Sequence, residues 1–229
     1  MTLITKNLHQ LYDELGARLG RDWRDRLTLV AVSKMAPAEA VREAFAEGQV
    51  DFGENRVQEL VAKREALVDL PIRWHLIGHL QTNKVKNVIG AVELVQSVDS
   101  LRLAEALWRE CEKRETTCRV LLEVKTTAEQ TKTGVSIEEC RELARQVLEM
   151  DRIVLDGLMT MAPATGGPES ARESFRTIRD LHEELRSAHG LGYRGTILSM
   201  GMSGDYSIGL EEGSTMVRIG TRIFGERQQ

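Results

Sequence analysis

Aromatic residues are scarce, at 4% of a 229-residue chain. A surface that stacks single-stranded bases needs several of them, so that class of nucleic-acid binder is disfavoured. An excess of one charge is also missing. The chain has 31 basic residues against 35 acidic ones, a net charge of −4, which argues against a polyanion as the main partner. Its three cysteines, Cys111, Cys118 and Cys140, are odd in number and lack metal-type spacing. A reducing compartment fits them better than a disulfide framework. No apolar run approaches the ~20 residues of a membrane span. The opening MTLITKNLHQLYDELGARLG has neither the basic nor the apolar region of a secretory signal. The expectation is a cytoplasmic chain with neither membrane nor nucleic acid as a partner. Hydrophobic residues at 41% and charged residues at 29% mark a globular protein. Its length suits one large core.

The apolar pattern then gives the architecture. Leu8, Leu11, Leu15 and Leu19 recur at helical spacing, so residues 1–26 read as an amphipathic cap helix. Eight short apolar runs follow: LTLVAVS (27–33), VDFG (50–53), RWHLIG (73–78), ELVQSV (93–98), RVLLEV (119–124), LDGLMT (155–160), TILSMG (196–201) and MVRIG (216–220). Helical signals lie between them. Pro37 suits a first helical position and Gly48 a stop. Leu101, Ala104, Trp108 and Cys111 form one apolar stripe, and Ser136 with Glu139 forms a capping box ahead of another. Ala171, Phe175, Ile178 and Leu185 mark a long helix after the loop APATGGP. Strand-helix alternation over about 200 residues predicts an α/β fold, a (β/α)₈ TIM-type barrel with an extra N-terminal helix. It would form a single domain, 1–229, with 27–229 as the barrel. A doubly wound open sheet is the alternative, but no GxGxxG follows the first strand.

In such barrels chemistry sits where strands end. Lys34 follows the first strand and shares a face with Val30 and Val32. If that face points inward, an ammonium sits at the rim of an apolar interior, where desolvation favours the neutral, nucleophilic amine. The alternative is a solvated strand-end lysine. Strand seven runs into SMGMSGD and strand eight into GTRIFG. Small residues, the Ser203 hydroxyl and the amides of Gly220 and Thr221 make a phosphate cradle of the kind barrels carry after strands seven and eight. Arg218 shares parity with Met216 and Gly220 and would also point inward. The alternatives are plain turn glycines and a structural ion pair. An amine, a phosphate cradle and an inward cation together fit one ligand, pyridoxal 5′-phosphate (PLP), with its aldehyde, phosphate and ring nitrogen.

Other signals read more blandly. His75 is expected at the rim and His79 in a loop, with no third ligand for a metal. His9, His182 and His189 are expected to be solvated on helices, and the run Lys63-Arg64-Glu65 to be an exposed helix face. Lys132, after strand five, is a solvated loop lysine or a second amine near the phosphate.

The segments LVAVSK (29–34), FGENRVQEL (52–60), WHLIGHLQTNK (74–84), the K-T-G of TKTGV (131–135), GLMTMAP (157–163), LSMGMSGDY (198–206) and GSTMVRIGTRIFGER (213–227) closely resemble the pyridoxal phosphate homeostasis protein family. That family shares its barrel with the N-terminal domain of alanine racemase. The resemblance implies that Lys34 is the Schiff-base lysine and Asn55 a pocket residue. It also implies that Met202, Ser203, Gly220 and Thr221 hold the phosphate and that Arg218 meets the pyridine nitrogen. Two positions depart from the family pattern: His79 stands where proline is usual, and Lys125 where asparagine is usual. The resemblance further implies a PLP carrier in vitamin B6 homeostasis, without established turnover. PLP-requiring apoenzymes are its expected recipients and a monomer its expected state. The related racemases add a second domain carrying a tyrosine base. Here the barrel is expected to stand alone, and of Tyr12, Tyr193 and Tyr206 only Tyr206 lies near a strand end. A PLP-dependent racemase or lyase is the enzyme alternative. A PLP-free sugar-phosphate enzyme would need a carboxylate base, Glu54 or Glu123.

Overall fold

The computed structural model describes residues 1–126, 133–193 and 195–225. Eight parallel strands close into a ring in chain order. They are β1 (Thr28–Val32), β2 (Asp51–Glu54), β3 (Arg73–Leu76), β4 (Leu94–Val98), β5 (Cys118–Glu123), β6 (Ile153–Met159), β7 (Ile197–Ser199) and β8 (Met216–Ile219). Each expected apolar run overlaps one of them, with β2 running one residue past its run and β5 and β6 starting one and two residues before theirs. Closure is made by β1 and β8, where Val30 pairs with Arg218 and Ala31 with Ile219. The expected (β/α)₈ TIM-type barrel with an N-terminal helix is therefore the observed architecture.

The helices are α1 (Leu3–Leu19), α2 (Ala38–Ala46), α3 (Val57–Ala66), α4 (Leu101–Lys113), α5 (Ile137–Leu148), α6 (Gly167–His189), α7 (Tyr206–Glu211) and α8 (Thr221–Phe224). Between β3 and β4 the chain makes a 3₁₀ helix, Thr82–Asn87, instead of an α-helix. Ser136 and Glu139 close the reciprocal capping box of α5. Pro37 lies one position before its expected place, as the cap of α2. Its fixed φ suits either site. Leu8, Leu11 and Leu15 of α1 are buried in the outer core, while Leu19 is half-buried.

Two apolar layers result from strand alternation. The large layer lies between barrel and helices and includes Leu29, Ala31, Phe52, Trp74, Leu76, Val120 and Val217. The small one, Val30, Leu94, Leu121, Met159 and Met216, fills the barrel itself. Among the described residues two register shifts interrupt the ladder, one of them between Val95 and Val98 on the β4–β5 side. The β5–β6 register slips between Val120 and Leu121, opposite Gly157 at φ 155°. A Cβ there would lie 1.9 Å from the Ile197 carbonyl oxygen, so β6 and β7 can pair this closely only with glycine. Among the described residues no helix is long and apolar enough to cross a membrane.

Candidate functional site

A cavity of about 410 Å³ opens at the C-terminal mouth of the barrel. Lys34, Asn55, Met202, Ser203, Arg218, Gly220 and Thr221 all line it, with Val32, Ile77, His79, Glu123 and Thr133 completing its walls. Strand parity is the reason. Val30 fills the barrel, so Val32 and then Lys34 follow on the inward side. Lys132 lies outside the described residues, so neither of its two readings can be placed.

Lys34 is half-buried in a tight turn, closed by the Ala36 amide on the Ser33 carbonyl at 2.9 Å. Met35 takes φ 66°, a left-handed conformation unusual for its side chain, and its amide donates to Glu59 at 3.2 Å. Behind this turn the preceding residue faces the helical layer. Ser33 Oγ donates to Glu54 Oε1 at 2.7 Å. Lys63 Nζ donates to both the Ser33 carbonyl and Glu54 Oε1, each at 2.6 Å. Lys63 is therefore buried rather than part of an exposed face. It falls on the same side of α3 as Val57 and Leu60, and its long stem carries the ammonium to the carboxylate. Glu54 is fully buried and Glu54 Oε2 accepts no hydrogen bond. Burial pushes its carboxyl up, against the opposing pull of Lys63 and Ser33. It faces α3 and not the cavity, which removes it as a candidate base.

The opposite wall is built from β7 and β8. Arg218 is 4% exposed. Its Nη1 donates to Ser199 Oγ at 2.6 Å and its Nη2 to the Thr160 carbonyl at 2.8 Å. Among the described residues its partners are these neutral groups and not a carboxylate. Burial pushes its guanidinium down to about 10, against the pull of Glu123 and Asp205. It remains a cation at neutral pH. Beside it the Gly220 amide reaches Ser203 Oγ at 3.3 Å. Thr221 opens α8, where the Ile223 and Phe224 amides donate to the Gly220 carbonyl at 2.9 and 3.0 Å. No atom lies within 4 Å of where a Gly204 Cβ would stand, so this rim leaves room for an anion. The Met202 amide already donates to Asp205 at 2.5 Å, so Met202 offers its side chain and not its N–H.

Glu123 closes the far side. It is buried, accepts a hydrogen bond from Thr133, and burial is the main cause of its raised pKa. His79 stands at the lip with Nδ1 3.4 Å from Asp99.

Two histidines differ from expectation. His182 is buried edge-on against Tyr193, with Nδ1 2.9 Å from the hydroxyl, and burial lowers its pKa. His75 is not at the rim. It lies inside the barrel, with Nε2 3.0 Å from Asp51. Asp51 also accepts both arms of Arg73, at 2.9 and 2.6 Å. Burial acts against its charge, but the His75 and Arg73 hydrogen bonds hold its carboxyl below the usual range. A depressed folded value contributes stability above the unfolded value and loses it as pH falls through the folded one. Asp51→Asn is therefore expected to lower the thermal midpoint at neutral pH and to flatten its fall on the acid side. Midpoints measured between neutral pH and the onset of acid unfolding check this, and parallel curves for the two proteins would refute it.

Fold and site together define a (β/α)₈ barrel whose C-terminal mouth brings Lys34, the buried Arg218 and the Ser203, Gly220 and Thr221 rim onto one cavity. The family model described as "Alanine racemase, N-terminal domain" matches residues 17–228. A pyridoxal phosphate homeostasis protein of Aquifex aeolicus is 44% identical over 200 residues, 87% of each chain. One from Pseudomonas aeruginosa is 37% identical, covering 99% of this chain and 97% of its own. The chain belongs to the pyridoxal phosphate homeostasis protein family. PipY of Synechococcus elongatus, solved with PLP bound, superposes at a TM-score of 0.87 with 36% identity, over 97% of this chain and all of its own. Alanine racemase of Clostridium difficile shares the fold at a TM-score of 0.78 with 16% identity, this chain spanning 58% of it.

Proposed function

We propose that this chain binds pyridoxal 5′-phosphate in the mouth cavity and acts as a carrier in vitamin B6 homeostasis within the cytoplasm. The observation that carries the reading is the meeting of Lys34, the Ser203–Gly220–Thr221 rim and Arg218 on one cavity. The relatives' printed names and the PLP-bound PipY structure support it. Three buried, unpaired cysteines suit a reducing compartment.

When bound, PLP supplies an aldehyde that condenses with primary amines and a ring that draws electrons from the resulting bond. Lys34 presents its amine at the rim, on a turn fixed from behind. Ser203 and the Thr221 amide would hold the phosphate, and Gly220, whose own amide donates to Ser203 Oγ, would fix that hydroxyl. Asn55 lines the side wall. Arg218 donates toward the ring nitrogen, and its permanent charge disfavours a proton there. That choice makes the ring a poorer electron sink and favours holding over turnover. No tyrosine lines the cavity among the described residues. The Tyr206 hydroxyl donates to Glu14 at 2.6 Å and accepts from Arg222 at 2.9 Å. The rim is open, so an incoming amine or an apoenzyme has access to the cargo, and one copy of the chain suffices for the site.

One observation favours the enzyme alternative, a racemase or lyase. Glu123 is a buried carboxyl with a raised pKa on the cavity wall, as a general acid-base group would be. Incubation of the PLP-loaded protein with single amino-acid enantiomers in deuterated water separates the two. A carrier leaves the α-hydrogen in place and yields PLP to an apoenzyme faster than it dissociates unaided. Exchange that needs Lys34 and Glu123, or equal transfer and dissociation rates, would overturn the carrier reading.

A further inference from the structure

A polar chain crosses the barrel interior from its floor to the mouth cavity. Asp51 Oδ1 lies 3.0 Å from His75 Nε2, and His75 Nδ1 lies 3.1 Å from Gln96 Nε2. Ser199 Oγ donates to Gln96 Oε1 at 2.7 Å, and Arg218 Nη1 donates to Ser199 Oγ at 2.6 Å. Every member is buried, and Gln96 and Ser199 are fully so. They come from β2, β3, β4, β7 and β8. Burying this many polar groups inside a barrel is costly unless each finds a partner.

The direction of the chain is fixed at both ends. A guanidinium only donates. Ser199 must therefore accept from Arg218 and pass its own hydrogen to Gln96 Oε1. That turns the Gln96 amide nitrogen, which also only donates, toward His75 Nδ1. Nδ1 must then carry a lone pair, so the proton of a neutral His75 sits on Nε2 and points at Asp51, which only accepts when ionised. Reversing Gln96 would require a doubly protonated His75 to keep both of its contacts and would make Ser199 Oγ accept from Gln96 as well as from Arg218.

We propose that Asp51, His75, Gln96 and Ser199 are positioning residues for Arg218. Acting in series, they hold one arm of its guanidinium at Ser199, in the orientation that faces the cavity. The Thr160 carbonyl fixes only the other arm, so Ser199 is the link that sets the rotation of the group. This assignment rests on the PLP reading only where it concerns the ligand. The geometry of the chain stands without it.

The test is made on the full chain. Nitrogen-15 histidine spectra of the ligand-free protein should show His75 with a bare Nδ1 and a protonated Nε2. Nitrogen-15 arginine spectra should show a hindered Arg218 Nη1 group that becomes free in Ser199→Ala, while Nη2 stays held by the Thr160 carbonyl. In the PLP-loaded protein, Ser199→Ala should leave the borohydride-trapped yield at Lys34 unchanged. It should move the visible absorption maximum and weaken PLP binding about tenfold or more, the loss of one hydrogen bond from a charged donor. Ser199→Thr should restore both, and Gln96→Met gives a second cut should Ser199→Ala fold poorly. A proton on His75 Nδ1, or Arg218 signals and an absorption maximum unmoved in both variants, would overturn the assignment. A wild-type protein that takes up no PLP sinks the functional reading alone, because the histidine and arginine spectra still decide this one.

Discussion

Replacing Lys34 with alanine should abolish the borohydride-stable PLP adduct and the visible absorbance that accompanies it. Lys34 is the cavity-lining amine among the described residues, and both effects require a primary amine. The fold should survive. Lys34 is half-buried at the mouth, outside the hydrophobic clusters, so truncation should cost about 0.5 kcal/mol or little more. Binding should weaken rather than vanish, because the Ser203 rim and Arg218 remain. Equilibrium dialysis would then find reversible PLP with the spectrum of the free aldehyde where the wild type holds trappable PLP with an imine band. An adduct that persists in the variant, or a peptide map placing it on another lysine, would remove the amine of residue 34 from the mechanism and the carrier reading with it.

Lys63→Met should be the most damaging single change behind the site. It leaves Glu54, fully buried and already short of one partner, without its cation. Stranding one member of a buried pair costs about 3–5 kcal/mol, which for a chain of this size is roughly 6–20 °C of thermal midpoint. The pH dependence has a definite sign. Glu54 is pushed up by burial even with Lys63 present, and loss of the cation raises it further. A raised folded value favours stability at acid pH and loses it as pH rises through that value. The deficit of Lys63→Met should therefore be larger at pH 8 than at pH 5. The double change Lys63→Met with Glu54→Gln should recover much of the loss, since it removes both charges. Scanning calorimetry at two pH values decides this. A loss under about 1 kcal/mol, or one that grows toward acid, would mean that the pair does not hold the turn.

The sequence carried the barrel and its mouth with few errors, for a physical reason. Period-two alternation along apolar strands states which side chains face inward, and from it Lys34 and Arg218 could be set on one cavity before any coordinates. Features that depend on contact between distant elements were less legible. Lys63 looked like one member of a charged run because its partner, Glu54, sits across a helix-strand boundary. His182 looked solvated because Tyr193, its cover, lies beyond the end of α6. His75, Gln96 and Ser199 did leave a trace: each is a polar residue within an otherwise apolar strand. Read singly they suggest exceptions. Only the barrel's closure brings them into one line.

Ser33 and Lys34 are consecutive and look in opposite directions, one into the helical shell and the other into the mouth. The shortest mechanical route from the outside of the barrel to the amine is thus a single peptide unit. A displacement of α3 would reach residue 34 through that link. Substitutions in the shell around residues 54 and 63 would therefore act on the position of the Lys34 turn without changing the residues that line the cavity.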